Sequence, residues 1–221
     1  MDHSESLDSG AEVLPPPPFS RLAGEISRMG RDFHRHGWLP GTGGNLSAVC
    51  RRDPLEMAVT RSGADKGRLR PADIVRVGER GERLAGAGRP SAEVLLHLAV
   101  ARRRGAGAVL HTHSVFGTLA SQARAREGGV HLEGFEMLKG LAGVGSHDHR
   151  EWLPIMDNSQ DAAALSRQVE ETLDRQPEIH GFLLFRHGLY TWGADLEEAR
   201  RHVEVLEFLL EVVVRCGPGT A

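Results

Sequence analysis

Two histidines separated by a single residue follow a short apolar run, Ala108 to Leu110. On a β-strand, side chains at positions i and i+2 point to the same face, so His111 and His113 would lie side by side. On a helix the same two side chains would point about 200° apart. Neutral imidazoles are common ligands of transition metals, and such a pair needs further ligands from elsewhere in the chain. The spacing therefore predicts a metal site at the end of this strand.

One further histidine has a matching position. His187 follows a second apolar stretch, residues 179–185, and precedes Gly188, which allows neighbouring backbones to approach closely. Three histidines with an open coordination position are typical of catalytic zinc, with nitrogen–metal distances of about 2.0–2.1 Å. Iron, cobalt and manganese accept the same ligand types, so the residues alone leave these metals open. The pattern predicts a metal-dependent enzyme with Zn²⁺ as the preferred ion.

The other histidines have patterns that favour different roles. His34 and His36 lie at the end of a predicted helix, where residues i and i+2 do not share a face. His97 lies near the apolar stripe of another predicted helix, which favours packing in the core. His147 and His149 lie in a glycine-rich loop whose sequence fixes no ligand geometry, and this leaves open a role at the rim of a site.

Three short loops offer hydrogen-bond donors suited to a phosphate group. A glycine-rich turn can direct its backbone N–H groups toward an anion, and the N-terminus of a helix can do the same. The candidate donors are Gly44, Asn45, Ser62, Gly63 and Ser91, the last as a predicted helix N-cap, and the candidate cations are Lys66 and Lys139.

Two carboxylates are candidates for proton transfer near the metal. Glu136 lies on a short segment between Gly134 and Gly140, and Glu93 lies in the first turn of the helix that Ser91 is predicted to open. Each has an ordinary alternative when it is taken alone. Glu136 could simply belong to a solvated surface segment. Glu93 could simply compensate the helix dipole, as acidic residues in a first helical turn do.

The remaining chain supplies the elements that would position these residues. Residues 1–18 are polar and end in four prolines, which predicts a disordered tail, and residues 19–221 contain no strong linker, which predicts a single domain. Apolar periodicity predicts helices over 19–38, from Ser91 onward, over 113–122, over 159–175 and from an Asp195 cap with Glu198 as its partner. It predicts strands over 46–49, 55–60, 74–77, 152–156, 179–185 and 189–192, and one leading into His111.

Composition excludes several classes of protein. The 221 residues are 40% hydrophobic and 26% charged with a net charge of −3, which gives no electrostatic basis for binding nucleic acid or an anionic membrane. No apolar run approaches the length of about 20 residues that spans a bilayer. Cys50 and Cys216 share no disulfide-like pattern. These features predict a cytoplasmic protein without nucleic-acid or membrane partners.

The segments taken together resemble the class II aldolase family, which has the aldolase/adducin fold. The matching blocks are Gly41–Ser47, Ser62–Gly63 with Lys66–Gly67, Pro90–Ser91 with Glu93, His111–Ser114, Glu136–Gly140 and Arg186–Gly193. They follow the family's order along the chain. The blocks at Glu136–Gly140 and Arg186–Gly193 resemble a branch of the family that dehydrates a phosphorylated methylthio sugar.

The resemblance implies an α/β fold, a three-layer αβα sandwich with a central, mainly antiparallel sheet. It implies Zn²⁺ held by His111, His113 and His187, and a general acid/base at Glu136. Phosphate would lie against the Gly44–Asn45, Ser62–Gly63 and Ser91 loops with Lys139 nearby, and Glu93 matches a position that contacts metal or substrate in related aldolases. Family members are commonly homotetramers with the site near a subunit boundary.

Other functions on the same scaffold are kept as alternatives. A sugar-phosphate aldolase or epimerase would use the same metal and the same enediolate chemistry. A non-catalytic scaffold of the adducin type would lack the histidine triad, which is present in this sequence. A sensor that binds a phosphosugar is left open by the residues.

Overall fold

The computed structural model describes residues 18–217, and within them a nine-stranded sheet is flanked by five α-helices. The strands are β1 (Asn45–Arg52), β2 (Leu55–Thr60), β3 (Ile74–Val77), β4 (Arg83–Ala85), β5 (Ala108–Thr112), β6 (Gly129–Glu133), β7 (Arg150–Met156), β8 (Gly181–Leu184) and β9 (Gly188–Gly193). The helices are α1 (Phe19–Arg35), α2 (Val94–Arg104), α3 (Val115–Ala123), α4 (Ala162–Arg175) and α5 (Leu196–Cys216). The predicted tail, apart from Pro18, lies outside the described residues, and the single domain stays a prediction.

The strand order across the sheet is β4-β3-β2-β1-β5-β9-β8-β7-β6. All neighbouring pairs run antiparallel except β7 and β8, which are parallel. The prediction of a mainly antiparallel sheet is therefore confirmed. In the centre, β5 lies between β1 and β9, so that His111 is paired with Asn45 on one side and with Tyr190 on the other.

Helices cover both faces of the sheet. Along β5, Val109 packs in the cluster formed with α2 and α4, whereas Ala108 and Leu110 pack in the cluster formed with α1. A third cluster joins α3 and α5 to the same side as α1. Successive strand residues point to opposite faces, so this alternation builds two apolar layers. The predicted three-layer αβα sandwich is confirmed.

Several element boundaries differ from the sequence prediction. Helix α1 ends at Arg35 rather than at residue 38, because Gly37 takes a left-handed conformation with φ of 78°. The Trp38 N–H then donates a hydrogen bond to the Phe33 carbonyl. Helix α2 begins at Val94, so Ser91 is not its N-cap; its hydroxyl instead accepts the Glu93 N–H in a preceding turn.

Two strands were not predicted from the sequence, whereas the predicted helix cap at Asp195 is confirmed. β4 is a three-residue edge strand, and β6 is the opposite edge of the sheet. Asp195 caps α5 by accepting the Glu198 N–H, while the Glu198 carboxylate accepts the Ala194 N–H. None of the helices in residues 18–217 combines the length and the apolar character needed to cross a bilayer.

Candidate metal centre

The His111 and His113 side chains converge at the end of β5. Their Nε2 atoms lie 2.8 Å apart. His111 is the fourth residue of the strand, and the N–H of His113 donates to the Trp38 carbonyl, which fixes the chain just beyond the strand end. His111 is fully buried, and its ring stacks on Tyr190 with centroids 3.9 Å apart.

A tight turn between β8 and β9 brings the third histidine to this pair. The His187 N–H donates to the Leu184 carbonyl, and Arg186 adopts a left-handed conformation with φ of 53°. A Cβ atom on Gly188 would lie 1.8 Å from the Thr112 carbonyl oxygen, so only glycine fits there. This close approach of β9 to β5 places the Nε2 of His187 3.3 Å from the Nε2 of His111.

Glu93 adds a carboxylate to the three imidazoles. Its Oε1 lies 3.3 Å from the Nε2 of His187, and its Oε2 lies 3.7 Å from the Nε2 of His111. Asn45 donates from Nδ2 to the same Oε2 at 2.6 Å and so holds the carboxylate in this orientation. Ligand atoms of all four residues lie within 4.8 Å of one another.

Hydrogen bonds at the outer ring nitrogens set the tautomers of two histidines. The Nδ1 of His111 lies 2.9 Å from the Leu189 carbonyl, and the Nδ1 of His187 lies 3.2 Å from the Oδ1 of Asn158. Both oxygens only accept, so each Nδ1 carries the proton and each Nε2 keeps a lone pair. This outer arrangement is usual for histidines that bind metals.

Burial keeps the three imidazoles in their neutral, ligand form. Desolvation, followed by the charges of the other two histidines, lowers the pKa of His111 well below its usual range. Desolvation likewise lowers the pKa of His113 to about 4 and reduces the pKa of His187, in the latter case against the opposing charge of Glu93. At neutral pH these groups therefore need no deprotonation before they bind a metal ion.

The donor set fits a divalent transition metal. An ion bound tetrahedrally at about 2.0–2.1 Å separates its ligand nitrogens by about 3.3–3.4 Å. The separation of 3.3 Å between His111 and His187 matches this value, and the 2.8 Å separation between His111 and His113 needs to widen by a few tenths of an ångström. Three neutral nitrogens with one carboxylate suit such an ion better than magnesium or calcium, which prefer oxygen ligands.

The loops that carry the predicted phosphate donors surround this cluster. Gly44 has φ of 67°, and a Cβ atom there would lie 2.6 Å from the His111 carbonyl oxygen, so glycine is required beside β5. Asn45 donates to the Ser91 hydroxyl at 3.0 Å. The Ser62 N–H donates to the Arg89 carbonyl at 2.9 Å, which brings the exposed Ser62–Gly63 turn next to the segment that leads to Ser91.

Lys66 is buried close to the same cluster. Its Nζ donates to the carbonyls of Thr42 at 2.9 Å and Ala64 at 3.1 Å. Desolvation lowers its pKa to about 8, while the charges of Asp65 and Glu93 partly oppose the shift. Its positive charge also contributes to the low pKa of His113. Lys66 therefore supplies a cation beside the glycine-rich turn.

Glu136 and Lys139 lie apart from the metal cluster within a single chain. They occupy an exposed 3₁₀ helix, Glu136–Gly140, where the Nζ of Lys139 donates to Glu136 at 2.6 Å. This hydrogen bond lowers the pKa of Glu136, with smaller contributions from the charges of Lys139 and His147. Neither residue belongs to the group of ligand atoms around His111.

Three residues that support the cluster were missed by the sequence analysis. They are Tyr190 under the His111 ring, Asn158 at the Nδ1 of His187, and Glu207, whose buried carboxyl accepts a hydrogen bond from the Thr112 hydroxyl. Of the three, only Glu207 could have been recognised from the sequence, because it is an acidic residue inside the otherwise apolar, buried stripe of α5. Nothing in the local sequence distinguishes Asn158 from an ordinary loop residue.

Comparisons with known proteins identify the family of the chain. The profile described as Class II Aldolase and Adducin N-terminal domain matches residues 24–214. Curated relatives named methylthioribulose-1-phosphate dehydratase include one from Stenotrophomonas maltophilia, 47% identical over 81% of this chain and 83% of its own length, and one from Methylococcus capsulatus, 44% identical over 89% and 95%.

Solved structures share the fold at lower identity. YgbL from Klebsiella pneumoniae aligns with a TM-score of 0.77 at 24% identity and covers 92% of this chain and 93% of its own. L-fuculose-1-phosphate aldolase from Thermus thermophilus aligns with a TM-score of 0.70 at 24% identity, over 90% and 96%. These likenesses extend over nearly the whole of each chain.

Proposed function

The chain belongs to the class II aldolase and adducin family, and we propose that it dehydrates 5-methylthioribulose 1-phosphate to 2,3-diketo-5-methylthiopentyl 1-phosphate, a reaction of methionine salvage. The observation that carries this proposal is the convergence of three neutral imidazoles and the Glu93 carboxylate at the end of β5. The names of relatives that are 42–47% identical support the choice of substrate. We place the reaction in the cytoplasm, because Cys50 and Cys216 are free thiols.

We propose one Zn²⁺ per subunit at this site, held by His111, His113 and His187. Three histidines with one remaining position are the ligand set of many catalytic zinc sites. The bound ion would act as a Lewis acid that polarises the C2 carbonyl and makes the C3 proton more acidic. The role of Glu93 is to complete the cluster beside the ion and the substrate, in the orientation that Asn45 imposes.

Glu136 performs the proton transfers in this proposal. Its pKa is lowered by Lys139, so the carboxylate is ionised at neutral pH and can accept the C3 proton. The same proton then goes to the C4 hydroxyl, which leaves as water while a double bond forms between C3 and C4. The resulting enol at C3 tautomerises to the diketone. One glutamate thus returns to its starting state after each turnover.

Because Glu136 lies outside the cluster of its own chain, we propose that it acts in the site of a neighbouring subunit. Its side chain is 74% exposed. Exposed apolar side chains lie on the same segment and on α3 and α5: Met137, Val115, Leu119 and Phe208. Large apolar residues grouped at a surface are typical of an interface between subunits. A cyclic homotetramer would bury these side chains and bring Glu136 and Lys139 to the next site.

The phosphate of the substrate would lie on the loops around the cluster. Asn45, next to Gly44 at the end of the glycine-rich turn, donates to Ser91, and the Ser62 N–H donates to Arg89, two residues before Ser91. Lys66 donates to the Thr42 carbonyl in the same turn. Backbone N–H groups in glycine-rich turns favour an anion. Lys139 would add a second positive charge from the neighbouring chain.

The reaction is tested by incubating the zinc-loaded protein with 5-methylthioribulose 1-phosphate and analysing the product by mass spectrometry. We expect a product lighter by one water. A His113→Ala protein prepared in parallel serves as the control, and it should leave the substrate unchanged. Aldehyde fragments would contradict the proposal and indicate the aldolase reaction instead. Unchanged substrate in the zinc-loaded wild type would also overturn it.

The placement of Glu136 is tested by mixing two inactive variants, His113→Ala and Glu136→Gln, during refolding or co-expression. If Glu136 acts across a subunit boundary, a hybrid oligomer combines an intact metal cluster from one chain with an intact Glu136 from the next. Random assembly would then restore about a quarter of the wild-type activity. A mixture that stays inactive, although hybrids form, would place Glu136 in the site of its own chain.

A further inference from the structure

A second cluster of histidines and a carboxylate lies at the opposite end of β8 from the metal centre. His187 follows β8, whereas His180 directly precedes it. The four residues of the strand keep the two ends more than about 13 Å apart, since a strand rises about 3.3 Å per residue. His180 is joined there by His149 and Glu151, so the two clusters share no residue.

The sheet topology explains why these three side chains meet. His149 directly precedes β7 and Glu151 is the second residue of that strand, while His180 directly precedes β8. Because β7 and β8 are parallel neighbours, their starting ends lie at the same edge of the sheet. The Nε2 of His149 lies 2.9 Å, and the Nδ1 of His180 2.8 Å, from the same oxygen, Oε2 of Glu151.

The outer atoms of this cluster already have partners in the backbone. The Nε2 of His180 lies 2.8 Å from the Ala142 carbonyl, which only accepts, so this nitrogen carries a proton. The Oε1 of Glu151 accepts the His180 backbone N–H at 2.8 Å. The remaining ligand atoms, Nδ1 of His180 and Oε2 of Glu151, therefore face each other, and the Nε2 of His149 faces the same Oε2. Outer hydrogen bonds of this kind orient the ligands in metal sites.

Hydrogen bonds join the Glu151 carboxylate to both imidazoles. Burial opposes the ionisation of Glu151, which is only 1% exposed, but hydrogen bonds from His180 and His149 outweigh burial and lower its pKa. The Glu151 carboxylate in turn raises the pKa of His180 against the effect of desolvation. A divalent cation bound here would neutralise the buried Glu151 carboxylate, whose Oε2 already contacts both rings, and would accept a lone pair from each imidazole.

We propose that His149, Glu151 and His180 form a second metal site for a divalent transition-metal ion such as Zn²⁺. Two histidines with one carboxylate are a recurrent ligand set for such ions. A cavity of about 450 Å³ is lined by His149, His180 and His202, among other residues, and gives room for water molecules to complete the coordination. The proposal is independent of the reaction assigned to the first site.

An ion here would hold the loop that follows the Glu136–Gly140 helix. The Ala142 carbonyl contacts His180, and the Ala142 N–H donates to the Nε2 of His202 at 3.0 Å. His149 lies at the far end of the same loop, directly before β7. Binding at His149, Glu151 and His180 would thus join both ends of the loop to the sheet. The expected role is structural rather than catalytic.

The test is the zinc content of the full-length protein after loading and removal of free zinc. We expect two equivalents per chain in the wild type, one in His113→Ala, one in His149→Ala and none in the double variant. His147→Ala is the matched control, since His147 is an exposed histidine of the same loop outside the cluster, and it should keep two equivalents. One equivalent in the wild type, or two in His149→Ala, would overturn the proposal.

A second measurement removes any dependence on the folding of the His149 variant. The His113→Ala protein, which retains the second cluster, is titrated with zinc in competition with a chromophoric chelator. We expect one equivalent to compete with the chelator and at least a 10-fold weaker affinity when Glu151→Gln is added. Absence of competition by the folded His113→Ala protein would refute the second site.

Discussion

The Thr112 hydroxyl, between His111 and His113 in the sequence, donates a hydrogen bond to the buried carboxyl of Glu207 on α5. This contact lies on the face of β5 opposite to the histidine rings, so α5 supports the strand from behind. Burial raises the pKa of Glu207 to about 7, although hydrogen bonds from Ser114 and Thr112 partly oppose the shift. Below neutral pH, Glu207 is therefore a protonated, uncharged acid behind the metal centre.

The raised pKa of Glu207 predicts a specific dependence of stability on pH. The unfolded chain releases this proton near the ordinary pKa of 4.5, whereas the folded chain keeps it up to about 7. The stabilisation is therefore complete below pH 4.5 and is lost as the pH rises to about 7, by roughly 3 kcal/mol. Glu207→Gln cannot ionise, so its free energy of unfolding should exceed that of the wild type at pH 8 but not at pH 4.

Urea unfolding of the metal-free proteins between pH 4 and pH 8 measures this difference. The matched control is Glu204→Gln, on the same helix but with a side chain that is 44% exposed and paired with Arg200. Its difference from the wild type should be small at every pH, because exposed ion pairs contribute little. If the Glu207 and Glu204 variants gave the same profile, the buried protonated state would be ruled out.

The close approach of β9 to β5 predicts that Gly188→Ala is strongly destabilising. The new Cβ atom would lie 1.8 Å from the Thr112 carbonyl oxygen, and backbone atoms cannot move aside without separating the two strands. We expect a loss of about 2–4 kcal/mol in the free energy of unfolding. Because His187 precedes this glycine, zinc bound at the first site should also fall. Thermal unfolding and zinc analysis measure the two effects.

Gly145→Ala provides the comparison for Gly188→Ala. No heavy atom lies within 4 Å of the Cβ position at Gly145, so the same change there meets open space. Its stability should stay within about 0.5 kcal/mol of the wild type. Equal tolerance of alanine at both positions would show that β5 and β9 are farther apart than described.

We expect that substitution of one histidine ligand reduces zinc binding at the first site and catalytic activity together. His113→Ala takes away one of three imidazole donors and should weaken zinc binding at the first site by more than about 100-fold. Dehydration of 5-methylthioribulose 1-phosphate should fall with the zinc content. The control is His34→Ala, whose Nδ1 contacts the Leu39 carbonyl and which lies outside both clusters. A His113→Ala enzyme with normal turnover and no zinc at the first site would contradict the metal-dependent mechanism.

Much of the first site could be predicted from the sequence because its positions follow short-range rules. The i, i+2 spacing on a strand placed His111 and His113 on one face, and Gly188 marked the close approach of β9. The cap at Asp195 followed from the same kind of local pattern. For the histidine pair and the cap, residues that are neighbours in the sequence determine the geometry. Gly188 indicates that another strand can approach closely, but only the distant contact with Thr112 shows that this strand is β5.

The remaining features depend on contacts between distant segments. The sequence around His149 predicts only a loop residue, because nothing near it reveals that β7 lies parallel to β8 and that His149 and His180 contact the same carboxylate. Ser91 was predicted as a helix cap, but the start of α2 is shifted to Val94 while Ser91 contacts Asn45, 46 residues away in the sequence. The position of Glu136 relative to the histidine cluster also depends on distant contacts, and within one chain its segment lies apart from that cluster.

The proposed role of Glu136 predicts a variant that keeps the metal but loses turnover. Glu136→Gln preserves the size of the side chain and removes its capacity to accept and return a proton. We expect kcat to fall by about 10²- to 10⁴-fold, the usual contribution of general acid–base catalysis, with little change in KM. Zinc content and thermal unfolding should match the wild type, because the side chain is exposed and lies outside the ligand cluster.

Glu133→Gln is the control for this prediction. Glu133 is also acidic and partly exposed, lies three residues earlier on β6 and pairs with Arg150. Its substitution should leave kcat within about twofold of the wild type, since the carboxylate has no part in the proposed proton transfers. Steady-state kinetics on zinc-loaded protein compare the two variants directly. Substantial turnover by Glu136→Gln would remove Glu136 from the mechanism and leave Glu93, held beside the histidines by Asn45, as the remaining carboxylate at the site.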